Sequence, residues 1–324
     1  MPLQRSRFLK LGAGASLGGV VSAVRPAAAD DVQKIHVLEL PTDGAKTVLY
    51  AEKAGLFRKH GIDADIVAMG SGSAIYAAVI GGSADFGAGS LWPAFEAYAH
   101  GIPLRIVAPA SIYTSAHPDA FLLVRKDSPI KTATDLNGKI VGGDSPDGVS
   151  VVAVRAWLDQ HGADGKSIRA LELKQTEQVE ALDLGRIDAV ILKAPYLTIA
   201  LDSGKFRVLG TPYDAFGARS LLSCWVATAD FVAKNPDVVK GFVAGLSEAA
   251  RYTSAHEDQT VAMVAAFSGQ DPVQLAHGLR SVETDNATMA MLQGPLDVAV
   301  KYGVMQQTID LNGILAPMFP LSRT

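Results

Sequence analysis

Short apolar runs alternate with longer helical segments from residue 34 to residue 228, and this alternation constrains the fold more than any other feature. The predicted strands are 34–40, 62–67, 84–88, 104–108, 120–124, 139–142, 169–173, 189–192 and 223–228. The predicted helices between them are 47–60, a segment ending at 80, 91–100, 149–160 and 175–184. Such repeated β–α–β order is typical of an α/β fold with mostly parallel sheets and helices on both faces.

The chain after Phe231 is predicted to be wholly helical. Asn235-Pro236 places a capping residue before proline at the first helical position, and the apolar residues that follow recur on one helical face. Asp271-Pro272 predicts a second helix start by the same device.

A complete second α/β set lies between the predicted strands 120–124 and 223–228. We therefore expect two lobes, because 324 residues exceed the size at which one core grows efficiently. Residues 30–127 and 218–324 would form the first lobe and 128–217 the second. Two crossings, near 125–130 and 213–222, would act as a hinge.

The first 29 residues resemble a secretory signal peptide. Arg5, Arg7 and Lys10 precede an apolar stretch without carboxylates, and the small residues at 27–29 suit cleavage. The basic segment resembles a twin-arginine signal, but Ser6 interrupts the arginine pair, so the export route stays open. We expect export, with no stable insertion into the membrane.

Removal of residues 1–29, which carry four basic and no acidic residues, would leave 25 Lys and Arg against 33 Asp and Glu, a net charge of −8. Nucleic acid is a poor partner for so acidic a chain. Cys224, the single cysteine, can form no internal disulfide and lies far from the signal, which excludes a lipid anchor there. We expect a soluble monomer.

Five segments carry a resemblance to a known family. They are Ala51–Asp65, the small-residue loop 70–73, Ala84–Gly87, Asp135–Val141 and Glu180–Ala189. In order and spacing they resemble the type II periplasmic solute-binding proteins of the nitrate, sulfonate and taurine class of ABC importers. The chain is also similar to thiamine-pyrimidine-precursor proteins of the same fold.

The resemblance implies a two-lobed binder that closes on a small organic anion or zwitterion, in the periplasm, and delivers it to a membrane permease with its ATPase. It implies neither catalysis nor a cofactor. Two alternatives remain: a biosynthetic enzyme of the thiamine-pyrimidine type, and a ligand-sensing module for a membrane receptor. The enzymes need a cysteine-rich segment, and this chain has one cysteine.

Ligands of such sheets bind beyond the carboxyl ends of the strands, where helix N-termini offer N–H groups and partial positive charge. The loops at these positions predict the site. The candidates in the first lobe are Thr42, Asp43, Ser71, Gly72, Ser73, Ser90, Tyr113 and Thr114; for the two serines of 71–73, simple capping is an equal alternative.

The second lobe supplies the remaining candidates, which are Ser145, Asp147, Gly148, Ser150, Lys193, Pro195 and Tyr213. Lys193 follows a buried strand and is the best candidate for a cationic contact, although most lysines are simply solvated. Asp43, Asp144 and Asp147 would repel a simple anion unless they face solvent or meet a ligand ammonium, which keeps a zwitterion such as taurine open. Neither a metal site nor a catalytic nucleophile is predicted, since the seven histidines are scattered.

Overall fold

The computed structural model describes residues 32–322, so the predicted signal peptide lies outside the described residues. Within them the strands are β1 (Gln33–Glu39), β2 (Ile62–Ala68), β3 (Phe86–Ser90), β4 (Leu104–Pro109), β5 (Ser111–Thr114), β6 (Ala120–Arg125), β7 (Ile140–Gly143), β8 (Arg169–Glu172), β9 (Ala189–Lys193), β10 (Phe206–Gly210), β11 (Arg219–Leu221), β12 (Ser223–Thr228) and β13 (Val282–Glu283). The α-helices are α1 (Lys46–Lys53), α2 (Gly72–Ile80), α3 (Leu91–Ala99), α4 (Val149–Gln160), α5 (Gln175–Asp183), α6 (Tyr196–Asp202), α7 (Ala229–Lys234), α8 (Pro236–Ala255), α9 (Val261–Ser268), α10 (Pro272–His277), α11 (Met289–Lys301) and α12 (Leu311–Ile314).

The first sheet has the strand order β2-β1-β3-β12-β4. β1 pairs in parallel with β2 and β3, whereas β12 runs antiparallel to β3 and β4. β12 returns to this sheet after the whole second set of strands.

The second sheet has the order β10-β6-β9-β7-β8. β7 is parallel to β8 and β9, and β6 is antiparallel to β9 and β10. The prediction that the strand at 120–124 belongs to the first lobe is therefore wrong. Its apolar run pairs with β9 along five residues, and sequence periodicity cannot reveal which sheet such a buried strand joins.

A small third sheet, β11-β5-β13, joins the chain before β6 to the segment after β10. β13 pairs antiparallel with β5 through Val282 and Glu283. The prediction of a wholly helical chain after Phe231 is wrong at this strand, which is two residues long and too short for a periodicity signal.

α8 covers one face of the first sheet. Pro236 occupies its first turn, and Val239, Phe242 and Leu246 are buried on one side, as predicted. Phe242 stacks on Phe57 and Phe86 at centroid distances of 5.2 and 4.0 Å. Asn235 lies at the N-cap position, but its side chain donates to Phe231 O instead of capping the helix.

The helix predicted over 47–60 ends at Lys53. Gly55, at φ 70°, adopts the left-handed conformation that stops the helix, and residues 58–60 form a separate 3₁₀ turn. Asp271 accepts hydrogen bonds from Val273 N and Gln274 N, which confirms the predicted start of α10.

Two aspartates of the resemblance segments have the same structural role in the two large sheets. Asp85 Oδ2 accepts a hydrogen bond from His36 N at 2.8 Å, and Asp188 Oδ2 accepts one from Ile140 N at 2.8 Å. Each carboxylate thereby fixes the entry of its strand beside the neighbouring one, which agrees with the predicted turn role. No helix within residues 32–322 combines the length and apolar character needed to cross a membrane.

Candidate functional site

A cavity of about 380 Å³ is lined by residues of both large sheets and of the C-terminal segment. The first sheet contributes Glu39 at the end of β1 and Ser90 at the end of β3, and the second contributes Lys193 at the end of β9. These are carboxyl ends of strands, the edge at which doubly wound sheets bind ligands. The position of the cavity therefore follows the rule used on the sequence.

Six of the predicted site residues line the cavity: Thr42, Asp43, Ser90, Ser150, Lys193 and Tyr213. The other nine are absent from its wall: Ser71, Gly72, Ser73, Tyr113, Thr114, Ser145, Asp147, Gly148 and Pro195. Four of these nine, Ser145, Asp147, Gly148 and Pro195, lie in loops between lining residues, and several of the nine are held by contacts of their own.

Three of the predicted site residues outside the cavity wall form hydrogen bonds within the fold. Ser71 Oγ caps α2 by accepting a hydrogen bond from Ala74 N. Tyr113 is fully buried and donates its hydroxyl to Asp214 at 2.8 Å. Ser145 Oγ accepts from Asp147 N. Capping, one of the two roles considered for Ser71, is therefore observed.

Asp43 is the centre of a buried ionic network. Its carboxylate accepts from Arg280 Nε at 2.8 Å and from Ser281 N at 2.7 Å, and Lys46 Nζ lies 3.4 Å away. Lys46 is completely buried and also donates to Ser281 O. Burial alone would raise the pKa of Asp43, but Lys46 and Arg280 outweigh it and lower the pKa below its ordinary value. Asp43 thus links the loop after β1 to the segment before β13 through hydrogen bonds and ion pairs.

Lys193 faces the cavity but is already paired. Its Nζ lies 3.0 Å from Asp119 Oδ2, across the antiparallel pair β6 and β9, and 5.5 Å from the centre of the Tyr213 ring. Asp119 is buried, and its Oδ1 has no hydrogen-bond partner among the described residues. The ammonium is therefore partly neutralised by a carboxylate that the sequence did not predict for the site.

Two buried glutamates form the most unusual part of the wall. Glu39 is 5% exposed and Glu283 is 6% exposed. The pKa of Glu39 is raised to about 8, chiefly by burial and also by the nearby Glu283, against the opposing effect of a hydrogen bond from Leu40 N. Burial likewise raises the pKa of Glu283 to about 7, despite Lys46 and a hydrogen bond from Ser281 Oγ. These two carboxyls make this end of the cavity acidic.

Hydroxyl and backbone donors occupy other parts of the wall. Ser111 and Ser223 are joined by a 2.6 Å hydrogen bond between their hydroxyls, and Ser223 lies opposite Ser90 in the sheet. On the other side, α4 begins at Val149, and no side chain of residues 32–322 caps its N–H groups. Those free N–H groups and the helix dipole suit an acceptor or an anion.

Sequence reasoning missed several wall residues, which are Glu39, Asp119, Gln175, Gln178, Gln270, Ser281 and Glu283. Glu39 and Gln175 sit at a strand end and a helix start, so the rule of strand-end loops could have found them. Asp119 precedes a strand that runs antiparallel, and Glu283 comes from the segment predicted as helical. No local signal places those two at the cavity.

Metal-binding clusters and the Cys224 thiol are the groups to consider for catalysis. No cluster of three or more His, Cys, Asp or Glu with metal-binding geometry occurs within the described part of the chain. Burial raises the pKa of the Cys224 thiol to about 12, so it stays protonated, and its Sγ lies 4.0 Å from Tyr76 Oη.

Curated relatives of this chain are binding proteins. A binding protein of Brucella abortus (strain 2308) is 27% identical over 283 residues, covering 82% of this chain and 85% of the relative. An aliphatic sulfonates-binding protein of Escherichia coli (strain K12) is 29% identical over 241 residues, covering 71% of this chain and 68% of the relative. They confirm the predicted substrate-binding role and give no support to the predicted biosynthetic alternative.

Solved structures share the two-lobed fold. The periplasmic aliphatic sulphonate binding protein SsuA from Escherichia coli matches with a TM-score of 0.71 and 22% identity, covering 87% of this chain and 91% of that one. The desulfurization enzyme DSZB matches with a TM-score of 0.65 and 16% identity, covering 88% and 96%. The predicted fold class is confirmed, and the fold hosts both binders and an enzyme. The model of the family described as NMT1/THI5 like matches residues 45–260, and the chain belongs to that family.

Proposed function

We propose that this protein is the periplasmic solute-binding component of an ABC importer. It captures a small organic anion or zwitterion by closure of two lobes and delivers it, as a monomer, to a membrane permease driven by an ATPase. One observation carries the proposal: the cavity lies at the carboxyl ends of strands from both sheets, so that a ligand there touches both lobes. A ligand in that place favours the closed form of the lobes.

The lobes divide where the chain passes between the two large sheets. The first crossing is the segment between β5 and β6, and the second is the segment between β10 and β11. Tyr113 at the end of β5 and Ser115 in the first crossing both donate to Asp214 in the second crossing. These contacts support a hinge at about residues 115–119 and 211–218, in place of the expected 125–130 and 213–222.

Donors on both sides of the cavity support a ligand with an anionic or acceptor end. Ser90, Ser111 and Ser223 line the first lobe, whereas Lys193, Ser150 and the N-terminus of α4 line the second. Lobe closure brings these sets together. The signal-like residues 1–29 support export, and the relative that is named for aliphatic sulfonates makes sulfonates the first ligands to test.

Thermal-shift screening against nitrate, sulfonates, carboxylates and amino acids tests binding directly. A true ligand at a hundred times its dissociation constant adds about 2.7 kcal/mol to the free energy of unfolding. Small-angle scattering then tests closure, since we expect a smaller radius of gyration with the stabilising compound than without it. Identical scattering profiles would count against the closure mechanism.

A further inference from the structure

We infer that the ligand of this cavity carries a positively charged nitrogen, an ammonium or amidinium group, that lies against Glu39 and Glu283. The inference rests on the proposed solute-binding function and narrows the ligand class from anion or zwitterion to compounds with a cationic end. It follows from the charges of the cavity wall.

Acidic side chains outnumber basic ones on that wall. Glu39, Asp43, Asp119, Asp144 and Glu283 line it, against Lys193 as the basic lining residue. Asp43 is neutralised by Lys46 and Arg280, and Asp119 by Lys193. No ion pair within 4.0 Å is formed by the remaining three, Glu39, Asp144 and Glu283, within the described range 32–322. A cation placed beside Glu39 and Glu283 would stabilise their ionised form, whereas an anion there would favour the protonated carboxyls and gain no charge partner from them.

An unpartnered acceptor inside the cavity points to a ligand that donates hydrogen bonds. Asp119 is 94% buried, its Oδ2 accepts from Lys193, and its Oδ1 has no hydrogen-bond partner in the part of the chain that the structure describes. A buried acceptor without a partner costs about 1–3 kcal/mol, so such groups are normally satisfied. Glu39 Oε1 accepts only the local hydrogen bond of Leu40 N among the described contacts. An ammonium or amidinium group offers several donors and no acceptor, which fits this wall.

The surroundings of Glu39 explain how a cation would be recognised. Glu283 faces it from β13, and the Tyr76 hydroxyl of α2 and the charges of Asp43, Lys46 and Lys193 act on the same pair. In this low-polarity environment Glu39 holds its proton near neutral pH. An incoming cation stabilises the carboxylate and lowers its pKa, so the carboxyl releases that proton to solvent when the cation binds.

Isosteric probe pairs test the inference, each pair differing in its cationic group. We choose 2-aminoethanesulfonate with 2-hydroxyethanesulfonate, 4-aminobutyrate with 4-hydroxybutyrate, and benzamidine with benzamide. Binding to the purified protein is measured by calorimetry near neutral pH in phosphate and in Tris, whose ionisation enthalpies differ. We expect at least one cationic member to bind at least tenfold more tightly than its partner, with proton release.

Variants locate the recognition. Glu39→Gln is expected to weaken the cationic member at least tenfold and to leave its neutral partner unchanged, whereas Glu172→Gln, an exposed carboxylate outside the cavity, changes neither. Glu283→Gln serves as the second variant should Glu39→Gln fail to fold.

The failures are distinguishable. If the uncharged partners, or nitrate and ethanesulfonate, bind as tightly as any cationic probe, the inference is overturned and the solute-binding function stands. Tight cationic binding that both glutamine variants leave intact also overturns it. If no compound of either panel binds at millimolar concentration, both proposals are overturned.

Discussion

Lys193 Nζ lies 3.0 Å from Asp119 Oδ2, while the other oxygen of the same carboxylate has no hydrogen-bond partner among residues 32–322. The lysine thus balances a buried charge as well as facing the cavity. Because Lys193 is 39% exposed, solvent screens part of the pair, and its loss is expected to cost about 1–2 kcal/mol rather than the full value of a buried ion pair.

Lys193→Ala should therefore change stability and binding together. We expect a lower midpoint in urea denaturation and at least a tenfold weaker affinity for an anionic ligand group, or about 1.4 kcal/mol. Asp119→Asn in the same background should restore stability without restoring affinity, since it removes the unpaired charge. Lys166→Ala, at an exposed position, is the control. Unchanged affinity by calorimetry would remove Lys193 from the binding residues.

Asp43→Asn should destabilise the protein by roughly 3 kcal/mol, because it leaves Lys46 and Arg280 buried without their shared carboxylate. The pKa of Asp43 is lowered from 3.8, so the stability it contributes is present above that pH and is lost as pH falls through the lower value of the folded state. Chemical denaturation should show the gap between wild type and variant closing in acid. Asp258→Asn, an exposed change, should show no such gap.

For Glu39 we expect the opposite effect of pH on the free energy of unfolding, because its pKa is raised rather than lowered. Its pKa is 4.5 ordinarily and about 8 in the folded protein, so between these values the folded state keeps a proton that the unfolded state has lost. The free energy of unfolding should therefore fall as pH rises from about 4.5 to about 8, with Glu39 contributing on the order of 1 kcal/mol per pH unit.

Urea denaturation of Glu39→Gln across that range is the measurement, with Glu172→Gln as the control. The glutamine cannot ionise, so the variant should lose this part of the slope and gain stability over wild type at the alkaline end. Parallel pH profiles for wild type and Glu39→Gln would show that the carboxyl titrates normally.

The sequence predicts the sheet-and-helix order and the edge at which the cavity lies, because strand hydrophobicity and strand-end loops are local properties. Ser90 and Lys193 were found in this way. Other residues of the cavity wall come from segments that are distant in the sequence. Asp119 meets Lys193 only because β6 runs antiparallel to β9, and Glu283 reaches the cavity through a two-residue strand pairing. The positions of Asp119 and Glu283 depend on strand pairings between distant parts of the chain, which a single sequence does not show. For the same reason the sequence predicts the wrong lobe for β6.

Gly294, inside α11, allows that helix to pack on the segment that carries Tyr213. A Cβ at Gly294 would lie 1.9 Å from Phe216 O, a backbone atom that cannot move independently. Phe216 stacks on Tyr213 at 5.6 Å, and Tyr213 lines the cavity beside Lys193. A change in the packing of α11 on Phe216 is therefore expected to move Tyr213 in the cavity wall.

Gly294→Ala sets two effects against each other. Alanine favours a helix over glycine by about 1 kcal/mol, but overpacking against a fixed backbone costs about 1–3 kcal/mol and the contact here is far below any van der Waals distance. We expect net destabilisation in thermal unfolding, together with weaker binding of whichever screened compound binds wild type, because the 212–216 segment must shift. Gly70→Ala, where a Cβ meets nothing within 4 Å, should leave both unchanged. A Gly294→Ala variant that is more stable than wild type would mean that α11 can move away from Phe216 without disturbing the wall.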